Sequence, residues 1–174
     1  MLANCMKKKA NIKTTIMAQI ATTIEQSKKF KGLGIDVDSA DMSWHFTNMR
    51  TESLQWELKT VPLVTKENFF GKIEKLASPF YKHADGSPMT GDEVFDKIWG
   101  KDLPAWSLGA LIKLMPDTII LDNGDVCGLS VLNIGVYYRC FVDRSIVQGF
   151  ENDNIFDNCV NMIEWAVRNE HIKK

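Results

Sequence analysis

The chain has 174 residues, 45% of them hydrophobic and 25% charged, which is ordinary globular usage and excludes a globally disordered or low-complexity protein. Its 21 basic side chains against 22 acidic ones lack the basic excess of a general nucleic-acid binder. No stretch reaches the ~20 apolar residues of a membrane span.

This length favours one domain, able to bury roughly 70% of the surface its unfolded form exposes without a staple. Residues 1–12, with the run Lys7, Lys8 and Lys9, read as a flexible, solvated tail, and residues 13–174 as a single domain. The opening residues lack the charged and apolar stretches that precede a lipoprotein cysteine, so no lipid anchor is expected at Cys5, and Met6 is an alternative start to Met1.

Cys5, Cys127, Cys140 and Cys159 form no CxxC pair and have no histidine at metal-site spacing. The expectation is four free thiols, no disulfide, no metal and no cofactor, in a reducing, cytoplasmic setting. Cys127 and Cys140 fall on neighbouring predicted strands of apolar sequence, where a thiol is more often a small buried hydrophobe than a ligand.

The first predicted element is a long helix over residues 13–30. Ile12, Ile16, Ile20 and Ile24 recur at four-residue spacing, and Gly32 and Gly34 supply a stop. Asp36, Asp38 and Asp41 follow, but an EF-hand loop needs a glycine and a glutamate where Asp41 and Thr47 stand, so an Asx turn is predicted. Met42, Trp44 and Phe46, then Leu54, Trp56 and Leu58, alternate with polar residues. They predict an antiparallel hairpin with Trp44 and Trp56 on one face.

A short helix is expected after Thr65, carrying Phe69, Ile73 and Leu76, then a loop over 80–89. Thr90 to Glu93 is a capping box opening a helix with Val94, Phe95, Ile98 and Trp99. Pro104-Ala105-Trp106-Ser107 leads into the next helix, with Ser107 as N-cap and Pro116 beyond its end. Residues 118–121, 126–132, 136–142 and 146–150 predict an antiparallel meander, with Asn123-Gly124 as its first turn and Tyr138, Cys140 and Val142 on one face. A last helix over 153–168 buries Phe156, Cys159, Val160, Ile163 and Val167. Trp165 lies opposite that arc, so either the helix packs on two sides or Trp165 is an exposed anchor.

The predicted class is therefore α+β, a β-hairpin and a β-meander with long N- and C-terminal helices packed on one face. The strings LGIDVDSADMSW, PAWSLGALIKLMP and DNCVNMIEWAVRNEHI, in this order, resemble a set of uncharacterised small proteins of Bacteroides-like gut bacteria, their phages and mobile elements. The resemblance implies a cytosolic accessory protein and transfers no catalytic residue.

No GxSxG, Walker A, GxGxxG or HExxH motif occurs, so no reaction is named. Tryptophan is enriched at interface hot spots, and Trp165 and Trp106 are the two whose patterns do not require burial. The leading expectation is a non-enzymatic interaction protein that binds a protein partner, or self-associates, through its last helix. The alternative is a small enzyme or a binder of a small ligand or nucleotide, with a pocket near Trp44, His45, His83 and Asp85, the last two placed to orient each other. A third reading is DNA binding through the basic N-terminus.

Overall fold

The computed structural model describes residues 19–47 and 56–172. They form four α-helices and two antiparallel sheets, an α+β architecture. None of these helices is long and apolar enough to cross a membrane.

The first helix, α1, spans Ile24–Leu33 and is shorter than its isoleucine period suggests. Thr23 is its N-cap and Gln26 completes a capping box, so a side-chain oxygen satisfies backbone groups where the periodicity predicts helix interior. Upstream of the cap, Thr22 N–H donates to the carbonyl of Trp106 (2.9 Å) and Ala21 bridges Ser107, so this segment is extended. Ile20, expected in the core, is 61% exposed. Ile12 and Ile16 lie outside the described residues. Ile20→Ala is accordingly expected to change stability by less than about 0.5 kcal/mol, measured by urea unfolding. At the far end Gly34 adopts φ 76°, as the sequence predicts for a helix stop.

Asp36 Oδ1 accepts the Asp38 amide and starts the 3-10 turn Val37–Ser39, the Asx geometry expected there. Strand β1, Met42–Phe46, then pairs with β2, Trp56–Lys59, setting Trp44 opposite Leu58 and Phe46 opposite Trp56. Leu54 and the connecting residues lie outside the described residues. A third strand that the sequence pattern does not reveal, β3 (Leu103–Ala105), pairs with the other edge of β1.

No α-helix follows Thr65. Thr65 and Asn68 cap each other's amides in a single turn, and only the 3-10 segment Ile73–Leu76 follows. The helix α2, Gly91–Trp99, carries the predicted Thr90–Glu93 capping box. Phe95 and Trp99 pack with Phe69 at ring-centroid distances of 5.7 and 5.5 Å, a small aromatic cluster apart from the main core.

Helix α3, Leu108–Leu114, starts at the Ser107 cap. The meander follows: β4 (Thr118–Ile120), β5 (Val126–Leu132), β6 (Gly135–Cys140) and β7 (Ile146–Phe150), neighbours in that order. The first turn is a three-residue loop. Leu121 accepts the Gly124 amide and donates to Asp125, and Gly124 adopts φ 88°. Gly124→Val should lower stability by about 1–2 kcal/mol because a β-branched residue resists positive φ. A urea midpoint equal to wild type would place the strain elsewhere. Strand β6 is shorter than expected: Val142 is 82% exposed in the turn after it, while Tyr138 and Cys140 are buried.

Helix α4, Ile155–Arg168, fills the centre of the molecule. One side rests on β6 and β7, another on α3 and α1. Phe156, Cys159, Val160, Met162, Ile163 and Val167 are all buried. The first and last helices therefore do not share a face of one sheet: α1 packs against α4 and β3, away from the meander.

Candidate functional site

Two regions of the fold carry features that packing alone does not require. The first is a cleft of about 260 Å³ lined by Ser43, His45, Lys59, Val61, Val64, Trp99 and Asp102. Alternation along β1 puts Ser43 and His45 on the face opposite Trp44, and the turn after α2 places Asp102 beside them. Asp102 is buried with both oxygens engaged. Oδ1 accepts the Phe46 amide (3.0 Å), and Oδ2 pairs with His45 Nδ1 (2.8 Å). A carboxylate only accepts, so Nδ1 carries the proton, and Nε2 has no hydrogen-bond partner among the described residues. The Ser43 hydroxyl is already spent on the Val61 carbonyl (3.0 Å) and Lys59 on Glu57 (2.7 Å). Chemically, the cleft offers an imidazole oriented by a buried carboxylate.

His83 and Asp85 do not join this group. The loop folds back on itself, with Lys82 bridging Pro88 and His83 N–H donating to Ser87 O. Asp85 accepts the amide and hydroxyl of Ser87, which hold its carboxyl below the ordinary range. His83 instead faces Glu93 (3.4 Å), whose carboxyl is lowered chiefly by hydrogen bonds from the Thr90 amide and hydroxyl. The predicted His83–Asp85 pair is therefore a turn. Asp85 ties down its own loop, and the partner that orients His45 is Asp102, which no sequence signal singles out. Fifty-six residues separate Asp102 from Phe46, and only the unpredicted β3 brings them together.

The tryptophans fare differently from expectation. Trp106 is fully buried, donates from Nε1 to Ser39 Oγ (2.9 Å) and packs edge-on to Phe30. Trp165 is half-buried, with its ring 5.8 Å from Tyr138 and 5.1 Å from His171, because α4 is covered on two sides. Neither is an exposed aromatic anchor, and the side of the last helix that faces solvent carries the polar residues Asp157, Asn161, Glu164 and Arg168. Trp44 donates to the Thr22 carbonyl (2.8 Å) and lines an apolar groove with Ile20, Ile24 and Leu58.

The second region is the outer face of the meander, turned away from α4. Pairing sets Ile120 beside Val126 and, through the next register position, Phe141 beside Val126. One row along, Thr118, Gly128, Arg139 and Ile146 cross the sheet. Ile120, Phe141 and Ile146 are 67%, 64% and 50% exposed. The glycines shape the face: a Cβ on Gly128 would meet the Phe141 ring at 2.8 Å, and one on Gly149 would meet Tyr137 at 2.8 Å. Aromatic rings thus lie down on glycine, and Tyr137 is held there by Arg139 above its ring (5.1 Å) and by its hydroxyl bond to Glu151 (2.8 Å). Alternation marks this face in the sequence, but the exposure of Phe141 follows from the early end of β6.

No family model, curated protein or solved structure matches the chain, so the roles of these residues rest on their geometry.

Proposed function

We propose that the protein is a non-enzymatic interaction protein whose working surface is the outer face of β4–β7, and that a second copy of the chain occupies that surface. The observation that carries this reading is the run of Ile120, Val126, Phe141 and Ile146, large apolar side chains left in water on a sheet whose other face is packed. A flat, twisted sheet face stacks well on another of its kind. Arg139 lies within the face, and the turns at its edge carry Arg144 together with Asp122, Asp125 and Asp143, so a two-fold arrangement can set each sign against the other. As a dimer the chain would present its remaining surface to a host or element-encoded protein, the accessory role in a phage or mobile element that the sequence resemblance implies, in the cytoplasm.

Sedimentation of the wild type and of Phe141→Asp over a micromolar concentration series tests this. The wild type is expected to associate, and the variant to weaken association at least ~30-fold, about 2 kcal/mol, with an unchanged circular dichroism spectrum. A wild type that stays monomeric at every concentration removes the second copy as occupant.

The Asp102-oriented His45 favours one further reading, a small-ligand or acid–base site in the cleft beside β1. Histidine NMR with phosphate or acetate as probe checks it. A shift confined to His45 supports a ligand site, and equal response of His45, His83 and His171 removes it.

A further inference from the structure

We propose that Cys127 and Cys140 form a cross-strand disulfide, a modification site that staples β5 to β6. The two residues are direct partners in the β5–β6 register. Beside them Phe141 N–H donates to Val126 O (3.1 Å), which makes Val126–Phe141 a hydrogen-bonded pair and Cys127–Cys140 the alternate, non-hydrogen-bonded kind. Such pairs bring Cα atoms to about 4.5 Å and side chains closest, within the ~4.4–6.8 Å a disulfide spans. Both side chains point to the core face, and the two sulfurs lie 2.6 Å apart, closer than unbonded sulfur atoms rest. Cys159, equally buried on α4, has no thiol partner among the described residues.

The chemistry needs an oxidant, and a low-molecular-weight disulfide such as oxidised glutathione supplies it. Of the two buried thiols, Cys140, next to the exposed turn at 141–145, is the less enclosed. Its thiolate attacks one sulfur of the oxidant, forming a mixed disulfide and releasing one small thiolate. The Cys127 thiolate then attacks the Cys140 sulfur and expels the second. Two protein thiols lose two electrons and two protons, and two small thiols are formed. Burial pushes the Cys127 thiol up to about 11, so exchange is slow in either direction and the bond, once made, is sheltered from reductants. It closes a loop of ~14 residues and fixes the strand end from which Phe141 projects.

The test uses the full chain, incubated with oxidised glutathione, denatured, alkylated without reduction and weighed. Two alkylated cysteines and a peptide joining Cys127 to Cys140 are expected, with a melting temperature higher than that of the reduced protein by roughly 5–10 °C. Cys159→Ser should retain the link. Four alkylated cysteines after oxidation, or a link that involves Cys159 or Cys5, overturns the proposal, and neither result depends on whether the outer face binds a second copy.

Discussion

Trp106→Ala is expected to destabilise the protein by about 3–5 kcal/mol, a large share of the ~5–15 kcal/mol that holds a domain of this kind together. The side chain is fully buried and its indole N–H is bonded to Ser39. Truncation removes the edge-on packing with Phe30, opens a cavity beside it and deletes the indole hydrogen bond to Ser39, whose hydroxyl still donates to the Asp36 carbonyl. The backbone is affected as well, since Trp106 N–H donates to Thr22 Oγ1 and its carbonyl accepts the Thr22 amide. Urea unfolding followed by far-UV circular dichroism measures the loss. A value below about 1 kcal/mol would contradict the packing described and return Trp106 to the surface.

The second large effect belongs to Trp165. Its replacement by alanine should lower monomer stability by about 2–3 kcal/mol, less than for a fully enclosed tryptophan because its ring is only half covered. Without the indole, Tyr138 on the core face of β6 and His171, where the chain folds back beyond the end of α4, no longer have an aromatic ring to pack against. Tyr138 is itself anchored, its hydroxyl donating to Pro116 O (2.8 Å), and burial raises that phenol far above its ordinary value. The same substitution should leave association unaltered, because the outer face of the sheet is on the other side. Sedimentation and thermal melting on one preparation separate the two readouts. An unchanged melting point together with weakened association would restore Trp165 as a partner-binding residue.

Those two tryptophans show where sequence pattern carries and where it fails. Caps and turns are legible because their signals are local: Thr90 with Glu93, Ser107 and Gly124 all act within a few residues of themselves. The meander is legible because its strands are successive neighbours. Isoleucine spacing overextends the first helix because it outweighs Thr22 and Thr23, whose hydroxyls bond where a helix would need backbone partners. Trp165 looks exposed on a helical wheel because the wheel shows one buried arc, whereas α4 lies between a sheet and two helices. β3 is hidden inside a helix signal because three residues are too few to alternate. With β3 unseen, nothing in the sequence brings Asp102 to His45. The same limit applies to the cysteines: spacing along the chain shows no pair, and only cross-strand register sets Cys127 against Cys140.

The bonds around Thr22 also bear on how the molecule assembles in time. Thr22 shares its hydroxyl with Ser27, gives its carbonyl to Trp44 and meets Trp106 at a separation of 84 residues. The strands over 118–150, by contrast, pair only with their neighbours in sequence and can collapse with little loop entropy. The expected order is therefore a fast C-terminal nucleus of meander and last helix, onto which the segment around Thr22 closes late. Native-state hydrogen exchange should show the reverse on opening, with the amides of Thr22 and Trp106 released at lower free energy than those of β6, so that the earliest described stretch of the chain is the last to be latched and the first to let go.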